Sequence, residues 1–490
     1  LEDKIHGNCT LRAAMEEGNS NMSSSSDTLT ITLPSRGVTI CVGSSLEFTS
    51  DGSLTIQGDP ISDILTTTGP HTGSYIDGGN SSNSNSICAA SATTESIFSI
   101  TGGTSTVNFS DFIIMGGLVS DKGAGILFDD EDTLTLTDMT LKENKVSSTD
   151  SSTIYGAAVH MGGESTATIT DSKFDSNSIT STGQGWVEGG AMYFESGTLS
   201  ISGTKFTNNS ATASTGDCLG GALHVSMASE VATTVTISDS SKFSSNSCTT
   251  DALSFGGAFA LGIYSLVSAD INVTIEDSTF DANSISGEGV YGGQVYLDSA
   301  DEITISDSSF SNGTATATTG SQAYGGAISF DAVAAVSISK SSFTDNTVTS
   351  SASSAGSYGG ALCFCEGFVS MELGDIAISQ SVFSGNTATA TGSSSGAFGG
   401  GIYTDEIDSI AITNSTISGN KASGASKSLG GGLFVKELDA DDNLDGMKLS
   451  FVTIANNSVS GATTNTGGGF YSEHSVATSQ SYAFINVLIA

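Results

Sequence analysis

Short runs in which apolar and polar residues alternate fill this chain from about residue 120 to its end, and they come in a fixed order. Each unit opens on a Gly-Gly pair and an apolar strand, continues with a second alternating strand, and closes on Phe-x-x-Asn. One copy reads Tyr324-Gly325-Gly326-Ala327-Ile328-Ser329-Phe330, then Val336-Ser337-Ile338-Ser339, then Phe343-Thr344-Asp345-Asn346. The next reads Tyr358-Gly359-Gly360-Ala361-Leu362-Cys363-Phe364, then Ile376-Ala377-Ile378, then Phe383-Ser384-Gly385-Asn386. Alternation of this kind predicts strands with one buried face. Gly pairs begin at Gly189, Gly220, Gly256, Gly292, Gly325, Gly359, Gly399, Gly430 and Gly467, with weaker copies at Gly156-Ala157 and Gly123-Ala124-Gly125. A unit repeated at this interval, three strands to a unit, predicts an all-β solenoid, a parallel β-helix. About a dozen coils spaced by about 4.8 Å give a rod of roughly 60 Å.

Aligning the copies produces columns. Phe174, Phe206, Phe243, Phe280, Phe310, Phe343 and Phe383, continued by Ile417 and Ile454, are expected to point inward and stack coil on coil. Asn177, Asn209, Asn246, Asn283, Asn346, Asn386, Asn420 and Asn457 form a second column, to which Asn312 is assigned after a one-residue deletion. Asparagine tolerates the left-handed backbone of a tight turn, and its amide can bond to the same amide one coil away. The Gly pair allows a sharp bend or close coil packing. These columns read as structural. The segments before each Gly pair, such as 347–357 and 387–397, vary in length and are expected to project as loops from one edge of the rod. The chain reads as one continuous solenoid: residues 1–26 as a capping segment with a short amphipathic helix over 8–18, 27–120 as irregular first coils, and 121–490 as regular repeats.

The Gly-Gly-Ala-Ile and Phe-x-x-Asn pairing resembles the repeats of chlamydial polymorphic outer membrane proteins and related right-handed β-helix surface proteins, over about residues 120 to 490. At the other end, Cys9-Thr10-Leu11-Arg12-Ala13-Ala14-Met15 is similar to the Cys-Ser-Leu-Arg-Glu-Ala-Ile segment that opens many secreted β-helix proteins, with Thr for Ser, Ala for Glu and Met for Ile. Asp27-Thr28-Leu29-Thr30-Ile31, Ser53-Leu54-Thr55-Ile56 and Ile76-Asp77-Gly78-Gly79 look like that group's first coils. The resemblance implies a right-handed fold and a secreted or surface-exposed protein, adhesive or structural in role.

Charge narrows the partners. With 52 acids against 14 bases the formal net charge is −38, so no nucleic-acid partner is expected, and an anionic membrane surface is disfavoured for the same reason. No apolar run reaches 18 residues, so no transmembrane helix is expected, and the start at Leu1 fits a mature product whose signal has been removed. These features predict an extracellular or cell-surface protein. Of the seven cysteines, Cys218 and Cys248 fall at the root of the same edge about one coil apart and form a candidate disulfide. Cys363 and Cys365 flank an inward Phe364 on one strand, a geometry that disfavours a bond between them, and the pairing of Cys9, Cys41 and Cys88 stays open. Nine Asn-x-Ser/Thr sequons, at Asn8, Asn21, Asn80, Asn108, Asn208, Asn272, Asn312, Asn414 and Asn456, are candidate glycan acceptors.

No convergent chemistry stands out. A polysaccharide lyase needs a base beside carboxylates, but the chain has two arginines, Arg12 and Arg36, and Lys173, Lys205 and Lys242 form a surface row. A hydrolase needs two carboxylates roughly 5 to 10 Å apart. Asp171, Asp239, Asp277 and Asp307, and the acids that end the Gly-Gly strands (Glu164, Glu195, Glu230, Asp298, Asp331, Glu366, Asp405, Glu437), recur in every copy and so read as solvated edges. No cofactor is expected. Ca²⁺ is the one ion the clusters Asp129-Asp130-Glu131-Asp132 and Asp439, Asp441, Asp442, Asp445 offer oxygens to, and neither carries a calcium-loop signature. The five histidines form no triad. The outward column of the Gly-Gly strand holds Tyr193, Tyr296, Tyr403, Phe434 and Tyr471 with His160 and His224, an aromatic row expected to serve as an assembly face or to stack sugars unless the long loops cover it. The last strand, with Phe484, Ile485, Val487 and Leu488, is apolar and without a cap, so either more chain follows or another copy is expected to cover it, head to tail or laterally. The sequence thus predicts a structural subunit of an extracellular filament or coat, with no active site. A glycan-binding adhesin is the alternative, and a polysaccharide-cleaving enzyme ranks behind both.

Overall fold

The computed structural model describes residues 10–490 except 23, 35–38, 59–73, 81–87, 89–93, 102–104, 130–131, 228–230, 263–269, 366–372, 437, 439–445 and 474–481. The chain winds into a right-handed parallel β-helix; the described strand pairs between coils are parallel, with a register shift between Met161 and Glu164. In one coil the strands are Val295–Asp298, Glu302–Ser306, Ser309–Ser311, Thr314–Ala317 and Ala323–Tyr324. The first two belong to one large sheet; the Phe-bearing strand, the strand after the Asn corner and the short strand before the Gly pair each build a sheet of their own, of 14, 11 and 10 strands.

The segments expected to be loops are therefore partly strand. Thr347–Ser350 and Ser357–Tyr358 pair with Thr387–Ala390 and with Ala397 and Phe398 of the next coil. The reason is a muted alternation: Val348, Ala388 and Ala422 from one of these sheets and Ala323 and Ala397 from the other point inward and bury fully, forming a small second core of Ala, Val and Ile.

The main core lies between the large sheet and the Phe-bearing sheet. The seven phenylalanines stack with ring centroids 4.5 to 5.0 Å apart and planes within 10° of parallel. A column of buried hydroxyls runs just before them. Each coil's backbone N–H donates to the next coil's Oγ, as from Ser172 to Thr204 and from Thr204 to Ser241, both at 3.2 Å.

At the following corner the asparagines form a ladder. Each Nδ2 donates to the Oδ1 one coil on, at 3.0 Å from Asn177 to Asn209 and from Asn209 to Asn246, and at 2.9 Å from Asn246 to Asn283. Asn312 is not a rung. It sits one residue earlier, exposed and left-handed at φ 56°, and the rung position holds Gly313. Gln294 fills the gap from the opposite strand: its Oε1 accepts from Asn283 Nδ2 at 3.0 Å and its Nε2 donates to Asn346 Oδ1 at 2.9 Å. Gln294 occupies the place that Ala or Gly takes in the other copies, so long for short on one side answers Gly for Asn on the other.

The two glycines of each pair act differently. The first has φ between 59° and 71°, a backbone region costly for other residues. The second lets coils approach: a Cβ on Gly326 would stand 2.1 Å from the carbonyl oxygen of Gly360.

A helix, Leu11–Asn21, covers the first coil with Leu11 and Met15 buried, starting three residues later than its amphipathic pattern suggests because Thr10 caps it, accepting from Ala13 N at 3.1 Å. Arg12 fastens it by donating to the carbonyls of Ser44 and Ser45 at 2.7 and 2.6 Å.

Candidate functional site

The aromatic row is not a surface. Tyr193, Tyr296, Tyr403 and Phe434 are 6, 0, 3 and 1 % exposed, and only Tyr471, near the last coil, is half-open. The cover is the sheet of short strands, whose residue immediately before each Gly pair is bulky: Tyr155, Phe255, Tyr291, Tyr324, Tyr358 and Phe398 among them. The two columns interlock. Tyr193 meets Tyr155 edge-on at 4.7 Å, Tyr296 contacts Phe255 at 5.0 Å, and Tyr403 meets Tyr358 at 4.9 Å. The hydrophobic gain of closing this layer exceeds anything a strand-edge loop offers, so a sugar cannot stack on Tyr296 or Tyr403 in this conformation.

Polar groups enter the layer at three places. In the first, His160 stacks on Tyr193 at 5.0 Å, and His224 Nδ1 lies 3.0 Å from Glu188 Oε2. Burial drives the pKa of His160 down to about 3, with Lys122 adding to the effect, so the ring is neutral. In the second, Asp298 and Asp331 are register neighbours on adjacent strands and each is 1 % exposed. Tyr296 Oη donates to Asp331 Oδ2 at 3.1 Å, and Ser299 Oγ to Asp298 Oδ1 at 2.8 Å, while Asp298 Oδ2 has no partner. Burial first and the Asp331 charge second raise the pKa of Asp298 to about 7. In the third, Tyr403 Oη and Lys436 Nζ both donate to Asp405 Oδ2, at 3.0 and 2.7 Å. Burial and Asp405 push the Tyr358 hydroxyl up to about 12.

The Asp298–Asp331 pair has the strand-to-strand spacing of a retaining glycosidase, about 5 Å. Both residues are buried, and burial beside a second carboxylate favours the protonated form of Asp298. The other rows stay dispersed: Lys173, Lys205 and Lys242 follow one another coil by coil, with Lys173 paired to Asp175 at 2.7 Å. Among the described residues no group of three or more His, Cys, Asp or Glu is placed to hold a metal ion. Asp130, Glu131, Glu230, Glu366, Glu437 and the cluster Asp439, Asp441, Asp442, Asp445 lie outside the described residues, as do Asn8 and Cys9.

Disulfides join Cys41 to Cys88, with Cα atoms 5.2 Å apart, and Cys218 to Cys248 at 5.8 Å. Cys363 and Cys365 are also paired, against the expectation from a straight strand. Cys365 lies past the end of Leu362–Phe364, and the bend there draws the Cα atoms to 5.5 Å.

The sequons divide by environment. Asn208, Asn312 and Asn456 are exposed at the same left-handed corner, φ 56° to 57°, and Asn414 is exposed at the other, φ 49°. Asn21 ends the helix and Asn272 faces outward, both exposed, whereas Asn80 and Asn108 are half-buried. In the last coil Phe484 and Ile485 are each 46 % exposed and Leu488 58 %, with Val487 turned half inward against the core. No described helix is long and apolar enough to cross a membrane.

A family model described as "Right handed beta helix region" matches residues 96–296. Neither the curated proteins nor the solved structures contain a significant match. The matched segment spans the coils in which the Phe stack, the Asn ladder and the covered aromatic layer begin, so sequence family and geometry agree on a right-handed parallel β-helix.

Proposed function

We propose that this chain is a secreted, glycosylated structural β-helix, the subunit of an extracellular filament or coat, without enzymatic activity. The observation that carries the reading is axial continuity. The Phe stack, the hydroxyl and Asn ladders and the aromatic layer are all spent on coil-to-coil contact, which makes a stiff rod. The disulfides support an oxidising compartment, where such bonds persist. The corner asparagines Asn208, Asn312, Asn414 and Asn456 are the sequons best presented for glycans, on turns that leave the sheets undisturbed. The helix Leu11–Asn21 lies over the first coil, and the exposed Phe484, Ile485 and Leu488 are the residues on which this reading puts self-association.

Electron microscopy of the purified native material, without crosslinking, tests this. Filaments or ordered sheets with an axial repeat near one rod length, about 60 Å, are expected, and removing residues 481–490 abolishes them while circular dichroism of the rod is unchanged. Isolated rods at all concentrations, or filaments indifferent to the deletion, overturn it.

A further inference from the structure

Among the described residues, no element packs over one face of the rod. It is the outer side of the second strand of each coil, and over four consecutive coils it reads Thr133-Leu134-Thr135-Leu136-Thr137, Thr166-Ala167-Thr168-Ile169-Thr170, Thr198-Leu199-Ser200-Ile201-Ser202 and Thr234-Val235-Thr236-Ile237-Ser238. The registers align these strands position for position. Leu, Ala, Val and Ile point into the core, and all twelve outward positions are Thr or Ser. Thr28–Thr32, Ser53–Gln57 and Thr106–Ser110 continue the same columns toward the helix, also without charge.

The array is two-dimensional. Hydroxyls repeat by about 4.8 Å from coil to coil and by about 6.6 Å along each strand. The β-branched threonines have restricted χ1 angles, so less order remains to be imposed on binding than with long side chains. The central hydroxyls, on Thr135, Thr168, Ser200 and Thr236, donate to and accept from no protein atom.

Charge is kept off this face. Charged residues make up 13 % of a chain whose net charge is −38, yet none falls on these positions. Acids stand directly beside it instead: Asp138, Asp171 and Asp239 follow the strands at the left-handed corner. From Asn272 onward the pattern breaks, with Glu276, Glu302 and Asp375 among the outward residues. A flat, uncharged, rigid and periodic surface carrying alternating hydroxyl and methyl groups matches a partner that is itself uncharged and periodic at the same scale. A crystalline polysaccharide would be gripped by exposed rings, and this face has none.

We propose that the threonine face binds the ordered surface of ice, its hydroxyls and methyls holding water in positions that the ice lattice continues. No covalent step is involved, and the proposal is independent of the assembly described above.

The test is partition of the purified full chain into a slowly grown ice front, with crystal shape followed in a nanolitre osmometer. The expected result is enrichment in the ice fraction and faceted growth. Thr135→Lys with Thr168→Lys, one half-buried and one exposed position on the outer side of the strands, should reduce enrichment at least tenfold, to that of an excluded solute. Ser147→Lys, exposed on a different sheet, should leave it unchanged. Circular dichroism of both variants reports whether the rod is retained. Exclusion of the native chain from ice overturns the proposal, as does equal loss in both variants; binding to crystalline cellulose or chitin without entry into ice overturns it in favour of a glycan surface.

Discussion

Replacing Asn246 by alanine removes one rung from the middle of the ladder, and the cost can be worked from the geometry. The Asn246 side chain accepts from the backbone N–H and from Nδ2 of Asn209, both at 3.0 Å, and donates to Phe206 O at 3.0 Å and to Asn283 Oδ1 at 2.9 Å. Asn283 Oδ1 keeps a second donor, the Asn246 backbone N–H at 2.9 Å, but at a fully buried site the Asn209 backbone N–H and one of its two Nδ2 hydrogens lose their acceptor, the other hydrogen keeping Phe174 O at 3.0 Å. Each such orphan costs about 1–3 kcal/mol, so Asn246→Ala should lose about 3–5 kcal/mol. Asn246→Asp sharpens the test. Its carboxylate still accepts from Asn209 but faces the oxygens of Phe206 and Asn283, and only the protonated acid can donate to one of them. The folded pKa must then lie above the unfolded value of about 3.9, so the variant's stability is greatest at low pH and falls as pH rises through the window above about 4. Urea unfolding by circular dichroism gives the total, and hydrogen exchange over residues 205–290 shows whether the damage stays in neighbouring coils, as a one-dimensional array requires. A loss under about 1 kcal/mol for Asn246→Ala, or a pH-independent Asn246→Asp, would refute the ladder as a stabilising element.

Asp298, with its pKa raised to about 7 from the ordinary 3.8, holds a proton in the fold that the unfolded chain releases, so native stability declines as pH rises between those values. Asp298→Asn should therefore raise the melting temperature at pH 8, by up to about 4 kcal/mol of stability, and change little at pH 4; equal destabilisation at both pH values contradicts the trapped proton. Replacing Cys218 and Cys248 by serine opens a link across 30 residues and should cost about 3–4 kcal/mol on the loop-entropy account, read as a lower denaturation midpoint and a smaller further shift on adding reducing agent, which then acts only on Cys41–Cys88 and Cys363–Cys365. Gly313→Asn alone should be destabilising by at least 2 kcal/mol or so, because a Cβ there stands 2.5 Å from Gln294 Cγ. Adding Gln294→Ala should recover part of that loss, and additive effects in this double-mutant cycle would show that the two positions do not exchange roles.

The architecture was written plainly in the sequence because it is a matter of period. The Gly pairs and the Phe column each sit in a fixed local conformation, and repetition multiplies a weak local signal. Asn312 shows where the method stops. Allowing one deletion made it a rung, yet the neighbouring glycine holds the position and Gln294, some 19 residues earlier in the chain, supplies the amide. Position along a strand is local, but which side chain fills a gap is decided across the coil. The aromatic row failed for a related reason. Alternation tells which side of a strand a residue faces, not whether a second sheet lies beyond it. The bulky residue before each Gly pair was the available sign of that sheet, masked by short two-residue strands that give no alternation to read. The threonine face was legible throughout, since it needs only the register of the repeats, but its uniformity matters only once no other layer is found above it.

The Asn ladder also has a direction. Every rung donates from the earlier coil to the later one, and Gln294 preserves the sense where the asparagine is missing. Amide dipoles that point the same way add and polarise one another, with oxygens facing the helix-capped end and N–H groups facing the last coil. The ladder thus carries a dipole along the rod axis, negative toward the helix and positive toward the last described coil. Set against the general repulsion between copies of net charge −38, that dipole favours antiparallel over parallel neighbours and tail-to-head over tail-to-tail stacking.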